Sequence, residues 1–231
     1  MCGRFVLKAP FSELVRLYNI TNNVNLEPRY NIPPTEDIAV VRPDPGGGSR
    51  RLDMLRWGLV PYWAKDIKIG FSLINAKAET VVEKSAFRDA FKERCCIIPA
   101  DGFYEWKKLE AKTKQPYAIM MKDRGLFAFA GLWERWKDRS SGQTIQSCTI
   151  ITTTPNEVCA PIHDRMPAIL DPKDYARWLD EEPTEPPHLM MMLKPYPAAA
   201  MEAYPVSSRV GSVKNTDAAL FEALESNAAL I

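Results

Sequence analysis

The residue best equipped for chemistry is Cys2, followed by Gly3, Arg4 and Phe5. Methionine aminopeptidases remove an initiator methionine when the next residue is small, so the mature chain is expected to begin at Cys2. A free α-amine and a thiol on adjacent carbons do one reaction that neither does alone. The amine condenses with an aldehyde, the thiol adds to the same carbon, and a five-membered thiazolidine closes. Reference pKa values of about 7.7–8.0 for the amine and about 8.5 for the thiol leave part of each nucleophilic near neutrality. Arg4 beside it is expected to raise the thiolate share. The plainer alternative is an ordinary small residue at a frayed end.

Three further polar islands interrupt apolar stretches: residues 73–80, 99–107 and 161–167. Strand alternation puts Phe103 and Glu105 on one face and Tyr104 and Trp106 on the other. A carboxyl among aromatics has a raised pKa and suits general-acid work, whereas a Glu105 paired with Lys107 would be a surface ion pair. His163, in a loop bounded by Pro161 and Pro167, can shuttle protons near neutrality or simply hold the loop. Asn75 can bind a hydroxyl or carbonyl oxygen, or serve a turn. The segment Trp57-Gly58-Leu59-Val60-Pro61-Tyr62-Trp63 gathers aromatics suited to stacking on unpaired bases. Core packing is the competing role for Trp57, and Trp63 beside Lys65 reads as exposed.

The elements that must position these groups are short. A helix is expected over residues 11–18, with Leu14, Leu17 and Tyr18 inward. Residues 29–34 are extended or turn-like ahead of Pro34. Strands at 38–41 and 52–57 flank a flexible tip at 43–49. A capped helical turn is expected at 85–91. Strands follow at 95–106, 117–121 and 126–133, the last two joined by a hairpin turn at 122–125, and another at 147–153. Asp171 and Pro172 start a helix running to about 179. Residues 181–205 read as an irregular packed excursion and 216–224 as helical. The fold class expected is α+β, one strand-dominated domain over residues 1–231.

Composition narrows the options. The 231 residues are 46% hydrophobic and 26% charged, an ordinary globular balance, and the net charge of +1 advertises no polyanion partner. Five scattered cysteines and two histidines, with no CxxC pair, offer neither a zinc site nor a disulfide framework. No cofactor is expected. There is no apolar run of the ~18 residues a membrane helix needs and no signal-peptide pattern, so a cytoplasmic protein with no membrane partner is expected.

Taken together and in order, the Met-Cys-Gly-Arg-Phe start, Arg29-Tyr30-Asn31 with Pro34, Trp57-Gly58 with Pro61 and Trp63, residues 74–80, residues 101–106, residues 163–167 and Val213-Lys214-Asn215 resemble the SRAP (SOS response-associated peptidase) family of abasic-site processing proteins. The resemblance spans Cys2 to about Asn215. It implies a fold of curved antiparallel sheets forming an open barrel with short flanking helices. It implies a monomer that binds single-stranded DNA carrying an abasic site, junctions with duplex included, and crosslinks to it through Cys2 as a thiazolidine, with lyase-like and autopeptidase-like character; the latter would release Met1. By the same resemblance Asn75 positions the opened sugar, Glu105 is the acid, and His163 assists proton transfer. Arg4, Lys77 and Arg165 hold phosphates, while Pro34, Tyr62 and Trp63 form the wedge beside the lesion. A bacterial member would be nucleoid-associated.

Two departures stand out. Lys77 occupies a position where the family often has arginine, keeping the charge but losing the bidentate fork. The chain also stops soon after the last motif, so no docking tail is expected. Two other functions fit the starting cysteine: an N-terminal-nucleophile glutaminase, which also begins Met-Cys-Gly, and a non-covalent single-strand binder.

Overall fold

The computed structural model describes residues 2–110, 113–179 and 185–224. It is a strand-dominated α+β fold in which two sheets share one apolar interior.

The larger sheet closes on itself. Its ring consists of β3 (Asp37–Pro43), β4 (Arg50–Trp57), β6 (Cys95–Ala100), β9 (Phe127–Lys137) and β10 (Thr144–Thr153). Each strand pairs antiparallel with the next except at the closing seam, where β10 runs parallel to β4 through Ser147 opposite Arg56 and Cys148 opposite Trp57. Closure removes the free sheet edges within that ring. The smaller sheet has the order β13 (Met201–Pro205), β8 (Lys114–Met121), β7 (Gly102–Lys108), β1 (Phe5–Leu7) and β2 (Arg29–Ile32).

The interior between the sheets is aromatic. Phe129 of the barrel meets Phe5 and Phe103 of the smaller sheet at centroid separations of 5.9 and 6.0 Å, and Phe5 meets Trp57 at 5.3 Å. All three are edge-on contacts, made among four fully buried rings, the arrangement the ring quadrupole prefers.

The helix α1 (Phe11–Tyr18) forms as expected, started by Pro10 and closed by Asn19 in the left-handed region, φ 53°. Leu14 and Tyr18, four apart, are buried, but Leu17 points outward and is 38% exposed. The second helix, α2 (Arg88–Glu93), begins three residues later than expected. Asp171 does cap a helical start, accepting from the Lys173 N–H, but Pro172–Asp174 is a 3-10 turn and only Tyr175–Trp178 (α3) is α-helical.

The expected strand over 95–106 is two strands. At Asp101 the chain leaves the barrel for the smaller sheet, and the carboxylate Oδ2 accepts the N–H groups of Lys8 (2.6 Å) and Ala9 (3.0 Å). Residues 122–125 likewise form no hairpin, because β8 and β9 belong to different sheets. An apolar run shows no seam where both halves are buried, so periodicity misses such crossings. Of the excursion at 181–205, residues 181–184 lie outside the described residues; the rest contains α4 (Pro186–Met192) and β13. Only Ala218–Phe221 in the last expected helix is helical, as a 3-10 turn.

Two minor strands matter most for function. Strand β5 (Asn75–Lys77) runs parallel to β10, with Asn75 opposite Ile150, and β11 (Met166–Pro167) pairs antiparallel with Thr152 and Thr153 of β10. The C-terminal half of β10 therefore carries the 75–77 segment on one side and the 163–167 loop on the other.

Candidate active site

Residues 2–4 continue the line of β1 alongside β7. Phe5 lies opposite Phe103, and the Tyr104 N–H donates to Arg4 O at 2.9 Å. This register carries Cys2 past Glu105. The Cys2 carbonyl accepts from Asn75 Nδ2 at 2.8 Å. Asn75 is almost buried, and its Oδ1 has no hydrogen-bond partner among the described residues.

Cys2 is fully buried, with Sγ 3.9 Å from Arg4 O. Burial, joined by the charge of Glu105, pushes its thiol well above the ordinary range. The expected thiolate enrichment by Arg4 is therefore overturned. The Arg4 guanidinium instead donates through Nη1 to Asn31 Oδ1 at 2.7 Å and Val210 O at 2.8 Å. A protonated sulfur results.

Glu105 faces inward as alternation requires: Phe103 joins the main core, and Tyr104 packs in the cluster on the other face with Trp106 against it. The residue is only 3% exposed, and burial pushes its carboxyl up to about 7. Near neutrality it holds a proton part of the time, the condition for general-acid chemistry.

His163 Nε2 lies 3.9 Å from Glu105 Oε2. Its Nδ1 accepts the Arg165 N–H at 3.0 Å, so the neutral ring carries its proton on Nε2, toward Glu105. Asp164 Oδ1 is also 2.9 Å from Nδ1, but one ring nitrogen cannot accept from Arg165 and donate to Asp164 together. The 88% exposed Asp164 side chain is the partner that yields while the ring is neutral. Burial lowers the His163 pKa, which favours that neutral form. The loop is shaped from behind by Asn156, whose Oδ1 accepts the N–H groups of Val158 and Cys159, and the His163 N–H donates to Cys159 O at 2.9 Å.

Arg165 braces the same loop. Its two terminal nitrogens grip the Glu79 carboxylate at 2.6 and 2.9 Å, and Nη2 donates to Thr152 O at 2.6 Å. The fork is thus filled from inside the protein. Glu79 stood in a flagged sequence island without a role; its partner was not readable from spacing. Lys77, at the end of β5, is exposed.

The aromatics divide. Trp57 is core, its ring N–H donating to Ile74 O at 2.9 Å, so it is no stacking platform. Tyr62 and Trp63 are 58% and 41% exposed, and Pro34 is half-buried next to Thr35, which has a positive φ of 73°. Phe71, unremarked in the sequence, is 61% exposed on the 3-10 segment Ile67–Ser72. Gly58 and Gly70 pack backbone to backbone, and that segment leads through Leu73 and Ile74 into Asn75. The structure thus brings Cys2, Asn75, Glu105 and His163 together, with Arg4 and Arg165 in supporting networks. No cluster of three metal-ligating side chains occurs among the described residues, and none of their helices is long and apolar enough to cross a membrane.

Comparison with known proteins points to one family. A family model described as SOS response associated peptidase (SRAP) matches residues 1–213. The abasic site processing protein YoqW of Bacillus subtilis (strain 168) is 48% identical over 225 residues, covering 96% of this chain and 99% of that protein. The abasic site processing protein HMCES of Xenopus tropicalis is 31% identical over 215 residues, covering 83% of this chain and 63% of that protein. A solved structure from Bacteroides thetaiotaomicron superposes with a TM-score of 0.87 at 26% identity, covering 96% of this chain and 100% of that one. The chain belongs to the SOS response associated peptidase (SRAP) family.

Proposed function

We propose that this protein processes abasic sites in single-stranded DNA by forming a thiazolidine crosslink between Cys2 and the opened sugar. The observation that carries the reading is the convergence of Asn75, Glu105 and His163 on an N-terminal cysteine. The names of the relatives YoqW and HMCES supply the lesion.

The reaction needs no cofactor and no oxidant. Hydrolysis of the Met1–Cys2 peptide bond first frees the α-amine. Protonated Glu105 gives its proton to the ring oxygen of the sugar as the C1′–O4′ bond breaks, and the C1′ hydroxyl returns a proton to Glu105, leaving the aldehyde. The amine attacks C1′, forming a C–N bond and passing one proton to the carbonyl oxygen; the resulting hydroxyl leaves as water with a proton from Glu105, relayed with His163 Nε2, and nitrogen returns its second proton to Glu105. Sulfur then adds to the imine carbon, and the thiol proton moves to nitrogen. Counted from the free amine, one water is released, and no phosphodiester bond breaks. The raised thiol pKa suits this order, because the sulfur stays protonated until the imine exists. Asn75 Oδ1 is an open acceptor for a sugar hydroxyl.

Lys77 supplies a phosphate contact, and Pro34, Tyr62 and Trp63 flank the bases beside the lesion. Arg165 contributes by holding the His163 loop. The protein acts as a monomer in the cytoplasm, on DNA that is single-stranded or next to a duplex junction.

The test uses protein whose intact mass lacks Met1. Incubated with an abasic single-stranded oligonucleotide, it is expected to give a species that survives a denaturing gel. Cys2→Ala is expected to give none. A surviving species with Cys2→Ala, or none with the processed wild type, rejects the reading.

A further inference from the structure

Two sequence motifs are not consumed by the chemistry above: Arg29-Tyr30-Asn31 and Val213-Lys214-Asn215. The structure joins them. Asn31 is 4% exposed and uses both ends of its amide. Its Oδ1 accepts from Arg4 Nη1 at 2.7 Å. Its Nδ2 donates to Asn215 O at 2.7 Å and Ser212 O at 3.0 Å, with a longer approach to Val210 O at 3.4 Å. The same Arg4 nitrogen donates to Val210 O, and Asn215 Nδ2 donates to Arg209 O at 2.7 Å. Residues 209–215 are thereby folded onto the Arg4 side chain with Asn31 at the centre.

Chain ends fray unless tied down, and this end carries the nucleophile. Residues 2–4 lie outside β1 and are held on the main chain by the Tyr104 N–H to Arg4 O and by Asn75 to Cys2 O. Their side-chain anchor is Arg4. Pulling its guanidinium out to a phosphate would strand buried acceptors, which is the costly direction for a hydrogen bond.

We infer that Asn31, acting through Arg4, is a positioning residue for Cys2, and that residues 209–215 belong to the nucleophile's support. Arg4 on this view orders the attack; it does not grip DNA. The inference rests on the proposed crosslinking reaction for its consequence, though its structural content does not.

A phosphate ligand governs affinity and its salt dependence. A positioning residue governs the step after binding, where small displacements of a reacting group cost about 10- to 100-fold in rate. The experiment compares wild type, Asn31→Ala, Arg4→Ala and the double variant. Affinity is read across salt concentrations with single-stranded DNA carrying a tetrahydrofuran in place of the abasic sugar, which has no aldehyde. The first-order crosslinking rate is read at saturating abasic DNA. Each single variant is expected to lose about 10- to 100-fold in rate, and the double variant no more than the worse single one. Tetrahydrofuran affinity and salt slope are expected within about twofold of wild type. Asn31→Asp keeps the acceptor for Arg4 but loses both donors, and is expected to fall between wild type and Asn31→Ala. Lost affinity and a shallower salt slope at an unchanged saturated rate would make Arg4 a phosphate ligand and overturn the inference.

Amide hydrogen exchange decides the structural content without DNA. Asn31→Ala is expected to exchange at least about tenfold faster at residues 3–5, with β6 and β9 unchanged. Unchanged exchange at residues 3–5, or loss of protection throughout the barrel, overturns the inference. Should the wild type form no crosslink, the proposed function fails while this measurement still decides the positioning role.

Discussion

Glu105 illustrates how one buried carboxyl serves both chemistry and stability. Burial lifts its pKa from about 4.5 to about 7, so the acid form persists to neutrality. Glu105→Gln is expected to slow crosslinking by about 10²–10⁴-fold, as loss of a general acid does. The wild-type rate at saturating DNA is expected to fall on the alkaline side as pH rises through about 7, and the glutamine variant to lack that limb. Linkage sets a second expectation. The native state holds this proton more tightly than the unfolded chain, so the stabilisation is complete below about pH 4.5 and is lost as pH rises through about 7. The wild-type unfolding free energy from urea titration is therefore expected to decline across that window by about 2–3 kcal/mol, while Glu105→Gln shows no such decline.

At the scale of elements, the site depends on β10 as a common rail. β5 delivers Asn75, β11 fixes the far end of the His163 loop, and Arg165 clamps that loop back onto Thr152. The aromatic segment is seated differently, by the contact of Gly58 with Gly70. Gly58 has φ +133°, and a Cβ there would lie 2.7 Å from Gly70 O. Gly58→Ala is expected to cost about 2 kcal/mol or more in strain and clash and to displace residues 61–72. A lowered melting temperature with weakened single-strand binding checks it; a variant as stable as wild type and binding as tightly would refute it.

For the whole molecule, stability and site are coupled through the seam between the two sheets. Cys2 and Glu105 approach along the smaller sheet, whereas Asn75 and His163 come from the edges of the barrel. Phe129 is the barrel residue whose ring meets both Phe5 and Phe103 across that seam. Phe129→Ala is expected to cost about 3–5 kcal/mol and to slow crosslinking per folded molecule, because the sheets would settle toward each other. A destabilised variant with an undiminished rate per folded molecule would show that the seam does not set the site.

What the sequence by itself determined was the local chemistry: the starting cysteine, the face shared by Phe103 and Glu105, the cap at Asp171, the first helix and the family. The family follows from the order of motifs along the chain; the others follow from residue type and short-range period, which neighbours in the chain suffice to show. The crossing at Asp101, barrel closure by the parallel β4–β10 seam, the occupation of Arg165 by Glu79 and the tie between Asn31 and residues 209–215 were decided only by tertiary structure. Each joins groups far apart in the chain or turns on which of two buried sheets a strand enters. Burial also reversed the local expectation at Cys2, because removing the thiol from water, with the Glu105 charge beside it, outweighed the hydrogen bond to Arg4 O.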